Sequence, residues 1–244
     1  MRLRTTKVFV DSRYAVLGTS GSSILFEIPG GVELGPNARC FVSEFTAVCA
    51  WSTLDETNRY QTVIVDGVVH VISLPAGSYD LDSFADALQA ALRDGVHMGF
   101  VVERTGVGTG STQQLLRVSN TLSFMLADSP LSKIVSFPQV SATSHTSGFV
   151  DLRRVHNIFV HSPSFGNYNT VAPGGVRTVL CKIPVEVGYG GLVRWSTGGS
   201  SFDYIECGVR SLHLIRLELK DADGNFLDLQ GTAFSMTLLF SDGE

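Results

Sequence analysis

From Leu212 onward the chain alternates between apolar and polar side chains in a way that is typical of paired β-strands. Two alternating runs, 212–220 and 226–240, flank a turn at 221–225 that contains the pair Asp223-Gly224. Such alternation places one face of each strand on a core, and glycine allows the positive φ that a tight turn needs. The pattern predicts a long β-hairpin, and a chain that closes on such a hairpin favours an all-β sandwich.

The composition suits a globular protein with a sizeable core. Of the 244 residues, 44% are hydrophobic and 17% are charged, which is the opposite of the balance found in disordered chains. The formal net charge of −5 argues against a dedicated nucleic-acid binder, because such proteins carry a basic patch or stripe. No apolar run approaches the roughly eighteen residues of a membrane-spanning helix. We therefore expect weak or absent contact with nucleic acid and no membrane span.

The four cysteines, Cys40, Cys49, Cys181 and Cys207, are far apart in the sequence. Their spacing fits neither a zinc site nor a small disulfide scaffold. We interpret them as buried, reduced thiols in preference to a structural disulfide. This interpretation predicts synthesis in a reducing compartment.

One segment departs from the strand pattern. Between Leu81 and Leu92, apolar residues recur at helical spacing, which indicates an amphipathic helix. Asp80 is a suitable N-cap, and Gly95 can end the helix. We expect one short helix, at about 81–93, packed on a sheet.

The rest of the chain has the pattern of short strands joined by turns. The pair Asp66-Gly67 separates two apolar runs and predicts a second hairpin. The polar segment 141–148 is the best candidate for a loop. The sequence contains no internal repeat and no obvious linker, so it predicts an N-terminal arm over residues 1–23 and a single domain over residues 24–244.

Two patterns resemble ligand-binding loops only in part. The glycine-rich segment 106–111 lacks the lysine and the following helix that a phosphate-binding loop needs. The acidic turn that begins at Asp221 has Phe226 and Thr232 where an EF-hand needs glycine and glutamate. Hairpin turns explain both segments better, although adventitious Ca²⁺ binding at the second turn stays open.

The histidines do not indicate catalysis or a metal site. His156 and His161 are an odd number of residues apart in one predicted strand, so they point to opposite faces and cannot share a metal. His145 lies near Ser144 and Asp151, but no nucleophile-elbow sequence occurs. We therefore expect no enzyme activity, no metal and no cofactor.

Four aromatic residues could form a sugar-stacking platform: Trp51, Tyr189, Trp195 and Tyr204. Aromatic residues in this number are more often part of a core or an interface, and we favour that interpretation. The basic residues at the start of the chain could contact nucleic acid or a neighbouring subunit, or could lie in a solvated terminus.

Several segments, taken in order, resemble one protein family. They are Asp11-Ser12-Arg13-Tyr14-Ala15, the run from Cys40 to Trp51, Leu74-Pro75-Ala76-Gly77-Ser78-Tyr79-Asp80, Asn157-Ile158-Phe159-Val160-His161-Ser162, Val179-Leu180-Cys181-Lys182-Ile183-Pro184-Val185, and the run from Ile215 to Phe240. Over nearly the whole chain, this series resembles the single jelly-roll penton or minor capsid proteins of icosahedral double-stranded DNA viruses of the virophage and polinton-like group.

The resemblance implies a jelly-roll β-sandwich that forms part of a virion capsid. It implies a homopentamer at the icosahedral vertices, with copies of the chain, the neighbouring major capsid protein and other minor capsid proteins as partners. We expect the arm over 1–23 and the loop over 136–148 to be inter-subunit or host-facing elements. The candidate inter-subunit residues in the arm are Arg2, Arg4, Lys7, Arg13 and Tyr14.

Two other functions are compatible with a jelly roll. One is a receptor- or glycan-binding module of the fibre or lectin type, which would use exposed aromatic residues. The other is an enzyme of the cupin type, which would need a cluster of inward-facing His and Glu ligands. The six histidines show no spacing of that kind, which makes the enzyme the least favoured of the three.

Overall fold

The computed structural model describes residues 5–105, 115–165, 170–198 and 203–242. Its strands are β1 (Thr5–Asp11), β2 (Leu17–Ser20), β3 (Ser23–Glu33), β4 (Ala38–Val48), β5 (Tyr60–Val65), β6 (Val68–Ser73), β7 (Val101–Thr105), β8 (Leu115–Ala127), β9 (Ala142–Thr146), β10 (Asn157–His161), β11 (Val179–Pro184), β12 (Leu192–Ser196), β13 (Ile205–Glu206), β14 (Ser211–Lys220) and β15 (Phe234–Asp242). The α-helix is α1 (Leu81–Gly95), and short 3-10 helices cover Ser12–Tyr14, Pro130–Lys133 and Pro173–Gly175.

The chain forms two compact units. Met1–Trp51 and Val155–Glu244 together make one unit, termed the sandwich unit, and Ser52–Arg154 makes the other, termed the inserted unit. Each unit has its own cluster of buried apolar side chains. The predicted single domain over 24–244 differs from this division, because the alternating strand patterns of the two units look the same in the sequence.

The sandwich unit contains two antiparallel sheets. The first sheet has the order β1-β15-β4-β12, with β13 also paired to β4, and the second has the order β11-β10-β14-β3-β2. Without the short β2 and β13, eight strands remain, and the first pairs with the last, the second with the seventh, the third with the sixth and the fourth with the fifth. This nested pairing over two sheets is a jelly roll, so the predicted antiparallel β-sandwich is confirmed.

Inward-facing side chains of both sheets form the core of the sandwich unit. Val8 and Val10 of β1, Phe234 of β15 and Ile215 of β14 all belong to one buried cluster. The rings of Phe45 and Phe234 stack with their centroids 6.1 Å apart. Burying one such side chain contributes about 1.5–3 kcal/mol, so the period-two alternation of these strands is the source of the fold's stability.

The C-terminal strands correct the predicted hairpin. The turn at 221–225 is present, with the Asp221 amide donating to the Asn225 carbonyl at 2.9 Å, but β14 lies in the second sheet and β15 in the first. After the turn, Leu229 is buried, and the chain turns again at Gln230 and Gly231, which have φ of 47° and 77°. This second turn carries the chain to the opposite sheet. The two runs therefore pair only beside the first turn, where Lys220 and Phe226 form an antiparallel bridge, and β14 and β15 do not pair with each other.

The N-terminal residues also differ from the predicted arm. β1 pairs with β15 along its whole length, from Thr5 opposite Ser241 to Asp11 opposite Ser235. Residues 17–20 form β2, which pairs with β3. The sequence predicts an arm here because residues 18–23 consist of glycine, serine and threonine and because the pairing partner of β1 lies at the far end of the chain.

The inserted unit is a sheet with the order β6-β5-β8-β7, with β9 paired to β8, and with the helix α1. The predicted helix is confirmed and ends at Gly95. Its N-cap is also confirmed, since an Asp80 carboxylate oxygen accepts from the Ser83 amide at 2.8 Å. The predicted hairpin at Asp66-Gly67 is confirmed as the connection between β5 and β6.

The predicted loop over 141–148 is wrong for its central part, which is β9. His145 is buried in the middle of this strand, where its Nε2 lies 2.9 Å from the Phe124 carbonyl oxygen. The imidazole also packs edge-on against the Phe124 ring, with centroids 4.7 Å apart. The buried imidazole supplies the core contact that the serines and threonines around it do not.

His161 is a buried polar group at the end of β10. Its Nδ1 lies 3.0 Å from the Thr178 hydroxyl oxygen. Burial lowers the pKa of His161, and the nearby Lys220 lowers it further, whereas Glu218 acts in the opposite direction. Folding therefore opposes protonation of this imidazole.

We predict that the sandwich unit loses stability as the pH falls through the unfolded histidine pKa of about 6.5. Below that pH the unfolded chain binds a proton that the folded chain resists, so the unfolded state is favoured. The substitution His161→Gln should flatten the dependence of the free energy of unfolding on pH between about 7.5 and 5.5, as measured by urea denaturation. The exposed His213→Gln is the matched control, and an unchanged slope in His161→Gln would contradict the prediction.

A second prediction concerns the inserted unit. Phe84 is fully buried on α1 and packs edge-on against Tyr79 with ring centroids 6.1 Å apart. Phe84→Ala should lower the free energy of unfolding of this unit by about 3–5 kcal/mol, because it leaves a cavity in the core. The control Phe149→Ala removes a side chain that is 62% exposed and should change the value by less than about 0.5 kcal/mol. Equal effects of the two substitutions in chemical denaturation would refute the assigned core.

Candidate assembly surface

The residues that were weighed for catalysis take part in local structure. The Ser144 hydroxyl accepts from Arg117 Nε at 2.9 Å, and the Asp151 carboxylate accepts from Arg153 Nε at 3.0 Å. Within the described ranges, no three His, Cys, Asp or Glu side chains are arranged to hold a metal ion. The glycine-rich segment 106–111 lies outside the described residues. No helix of the described chain has the length and apolar character needed to cross a bilayer.

In the acidic turn before β15, the Asp221 carboxylate accepts hydrogen bonds from other residues of the same turn. Asp221 Oδ1 accepts from the backbone amides of Asp223 at 2.9 Å and Asn225 at 2.8 Å. Asp221 Oδ2 accepts from Asn225 Nδ2 at 3.1 Å. These bonds shape the turn, which explains the acidic and amide residues at these positions.

All four cysteines are free thiols, as predicted. Cys40, Cys49 and Cys207 are buried, and Cys181 is half-buried. Desolvation raises the pKa of the Cys49 and Cys181 thiols. Because the thiolate is the nucleophilic form, these two groups are poor nucleophiles and behave as core residues.

One edge of the sandwich unit exposes several apolar side chains. This edge, termed the N-terminal edge, consists of β1, the 3-10 helix Ser12–Tyr14 and β2, since β1 is outermost in the first sheet and β2 in the second. Exposed on it are Phe9 (71%), Tyr14 (75%), Val16 (54%) and Leu17 (66%). Large apolar side chains grouped on one element mark an interaction surface.

The charged candidates on this edge have separate roles. Arg13 Nε donates to Asp11 Oδ1 at 3.0 Å, and this bond holds the pKa of Asp11 below its usual value. Arg13 thus fixes the turn that presents Tyr14. Lys7 is exposed, and Arg2 and Arg4 lie outside the described residues.

Sequence reasoning missed three residues of the N-terminal edge, namely Phe9, Val16 and Leu17. The signal for Phe9 was available, because it stands between Val8 and Val10 in the sequence. If Val8 and Val10 face the core, the side chain between them faces outward. An outward phenylalanine on an edge strand is uncommon unless another surface covers it.

The opposite edge of the sandwich unit contains a cleft. β11 and β12 are the outermost strands there, and a cleft of about 260 Å³ opens between them. Its lining comes from both sheets and includes Phe41 on β4, Lys182 on β11 and Trp195 on β12. Tyr204, just before β13, packs edge-on against Phe41 with ring centroids 4.7 Å apart. This side of the unit is termed the cleft edge.

The four aromatic residues considered for sugar stacking do not form one platform. Trp51 is only 6% exposed and belongs to the core. Trp195 and Tyr204 share the cleft, whereas the Tyr189 hydroxyl donates to Gln230 Oε1 at 3.3 Å. The cleft therefore retains two of the four aromatic residues.

Comparison with known proteins identifies a clear structural similarity. No family model and no curated protein matches the sequence. The structure is similar to the crystal structure of the selenomethionine-labelled mavirus penton protein, with a TM-score of 0.60, 12% identity, and coverage of 98% of this chain and 100% of that chain.

Two further solved structures are much less similar. They are the D2-D3 domains of the flagellar cap protein FliD from Escherichia coli, with a TM-score of 0.19, 13% identity and coverage of 96% and 98%, and VP17, a capsid protein of bacteriophage P23-77, with a TM-score of 0.17, 9% identity and full coverage of both chains. Neither score supports a shared fold. The similarity to the mavirus penton protein shows that the chain has a penton-like jelly-roll fold, as the series of sequence segments predicted.

Proposed function

We propose that this protein is a structural capsid subunit of an icosahedral double-stranded DNA virus and forms a homopentamer at the vertices of the virion. The observation that carries the proposal is the complete jelly-roll strand order, together with the similarity over 98% of the chain to the mavirus penton protein. Copies of the chain and the neighbouring major capsid protein are its partners, and other minor capsid proteins are further candidates.

The surface of the sandwich unit supports self-association. Phe9, Tyr14 and Leu17 are each more than half exposed on the N-terminal edge. Covering one side chain of this kind contributes about 1.5–3 kcal/mol. A partner that covers the edge therefore gains a substantial part of the free energy that a stable interface needs.

A cyclic pentamer also sets a requirement on the shape of the subunit. Each subunit contacts its two neighbours through two different surfaces, and these surfaces must be complementary for the ring to close. We assign these two roles to the N-terminal edge and the cleft edge, which lie at opposite ends of both sheets.

The glycan-binding alternative has weaker support. It depended on a platform of exposed aromatic residues, and Trp51 lies in the core. The segment over 136–148, whose central part is β9, remains a candidate host-facing element. It includes the exposed Val140.

The oligomeric state of the purified chain is the direct test. We expect mass photometry and analytical ultracentrifugation to give a species of about five times the chain mass of 26.3 kDa. Leu17→Ser should lower the pentamer fraction, because it removes apolar area from the N-terminal edge. The matched control is Leu122→Ser in the inserted unit, which should leave the fraction unchanged. A monomer at every concentration up to the solubility limit would overturn the pentamer.

The position in the virion needs a separate measurement. A cryo-electron microscopy map of the intact particle should show this fold at the five-fold axes, in contact with the major capsid protein. Density for the chain elsewhere in the shell would agree with a function as a capsid subunit but would exclude a position at the vertices.

A further inference from the structure

Tyr14 occupies a defined position on the N-terminal edge. It ends the 3-10 helix Ser12–Tyr14, which connects β1 in the first sheet to β2 in the second. The Tyr14 side chain therefore projects from the level between the two sheets and is 75% exposed. An exposed tyrosine at such a position can act as an anchor, because its ring is apolar and its hydroxyl is polar.

The turn that carries Tyr14 is held from both sides. The Asp11 carboxylate accepts from the Arg13 amide and from Arg13 Nε, both at 3.0 Å. The Ser12 hydroxyl accepts from the Phe234 amide at 3.0 Å, which ties the turn to β15. Holding an anchor in place before binding lowers the entropy that association costs.

The cleft also lies at the level between the two sheets. Phe41 and Trp195 come from the first sheet and Lys182 from the second, with Asp203 and Tyr204 beside them. Three of its ten lining residues are aromatic, and two charged side chains of opposite sign, Lys182 and Asp203, also line it. Asp203 Oδ2 accepts from the Thr197 hydroxyl at 2.9 Å, so its carboxylate is oriented.

The size of the cleft favours a single side chain as its occupant. About 260 Å³ is below the range of about 300–1,000 Å³ typical of small-molecule pockets. Interfaces often place one aromatic side chain in a pocket of this kind, and such anchors carry much of the binding free energy. An occupant with a ring and a hydroxyl suits a lining that contains both aromatic and charged side chains.

We infer that Tyr14 of one copy inserts into the cleft lined by Trp195 and Tyr204 of the next copy. The ring lies against Trp195 and Tyr204, and the hydroxyl meets Lys182 and Asp203 in the same lining. The contact is head-to-tail, because the anchor and the cleft lie on opposite edges of one sandwich, and repeating it around an axis produces a ring. This inference rests on the proposed homopentamer and assigns its interface.

Trp195 reports directly on the contact. The chain has two tryptophans, and Trp51 is already in the core, so a change in exposure on assembly comes from Trp195. We expect pentamer formation to protect Trp195 fluorescence from acrylamide. Tyr14→Ser should raise the dissociation constant of each contact by about 30-fold, which corresponds to the hot-spot threshold of about 2 kcal/mol at 1.4 kcal/mol per tenfold change.

Tyr189→Ser is the matched control for this substitution. Tyr189 is also an exposed tyrosine of the sandwich unit, at 58%, but it lies on neither the N-terminal edge nor the lining of the cleft. We expect this variant to assemble like the native chain and to protect Trp195 equally. Equal weakening by Tyr14→Ser and Tyr189→Ser would overturn the inference.

Cross-linking tests the pairing itself. The double variant Tyr14→Cys with Asp203→Cys should give, on mild oxidation, a ladder of covalent oligomers that ends at five on a non-reducing gel. Because the half-buried Cys181 also lines the cleft, all variants carry Cys181→Ser. Each single variant then lacks one partner and should give no such ladder. Cys40, Cys49 and Cys207 are buried and should not contribute to it.

The outcomes separate this inference from the proposed function. A pentamer that leaves Trp195 open to acrylamide and gives no ladder would overturn the Tyr14 contact and leave the capsid function intact. A chain that stays monomeric would overturn the pentamer and this contact together. If a glycan array identified a sugar that protects Trp195 in the pentamer, the cleft would be a glycan site and Tyr14 would not occupy it.

Discussion

The pairing of β1 with β15 is the constraint on which the rest of the sandwich unit depends. It joins the first described strand to the last along seven residue pairs, and it encloses the other three nested strand pairs of the jelly roll. Without it, β15 would become the outermost strand of the first sheet, and Val8 and Val10 would leave the core. The pairing also brings Ser12 against Phe234, which ties the turn at Tyr14 to β15. A chain whose sheets depend on contacts between such distant segments folds slowly.

The inserted unit interrupts the jelly roll at one point in the sequence, between β4 and β10. A long insertion is tolerated there because the entropic cost of closing a loop rises only slowly with its length. The insertion of 52–154 also folds around its own core, in which the Phe100 and Phe124 rings pack edge-on with centroids 4.9 Å apart. The jelly-roll strand order is therefore complete without any strand from the insertion.

Local patterns predicted local structure well, and they could not predict which strands pair. The helix from Leu81 and its cap at Asp80 follow from spacing within a few turns, and both are confirmed. The alternation after Leu212 was also interpreted correctly as strands. Alternation shows that one face of a strand is buried, but it does not show to which sheet the strand belongs. The placement of β14 and β15 in different sheets was therefore not predictable from the alternation. The second turn at Gln230 and Gly231 was the one local sign of that separation.

Only some residues of the candidate surface were predicted, because local patterns do not show which distant segments of the chain come together. Arg13 and Tyr14 stood in a recognisable segment, and the structure places both on the N-terminal edge. Arg13 turned out to hold Asp11, and the exposed Phe9 and Leu17 were missed because the segment was treated as an arm and not as strands. The cleft could not have been found from the sequence, because Phe41, Lys182 and Trp195 come from strands far apart in the chain and meet only when the two sheets face each other.

Open edges explain why a closed ring suits this sandwich. The outermost strands β1, β2, β11 and β12 present unpaired backbone groups, and exposed apolar side chains on such strands promote uncontrolled association. A head-to-tail contact that does not close would continue into a filament. In the proposed ring, the cleft edge of one copy would cover the N-terminal edge of its neighbour. The features that would be a liability in a monomer would then form the proposed interface, which would link the strand order of one subunit to the symmetry of the assembly.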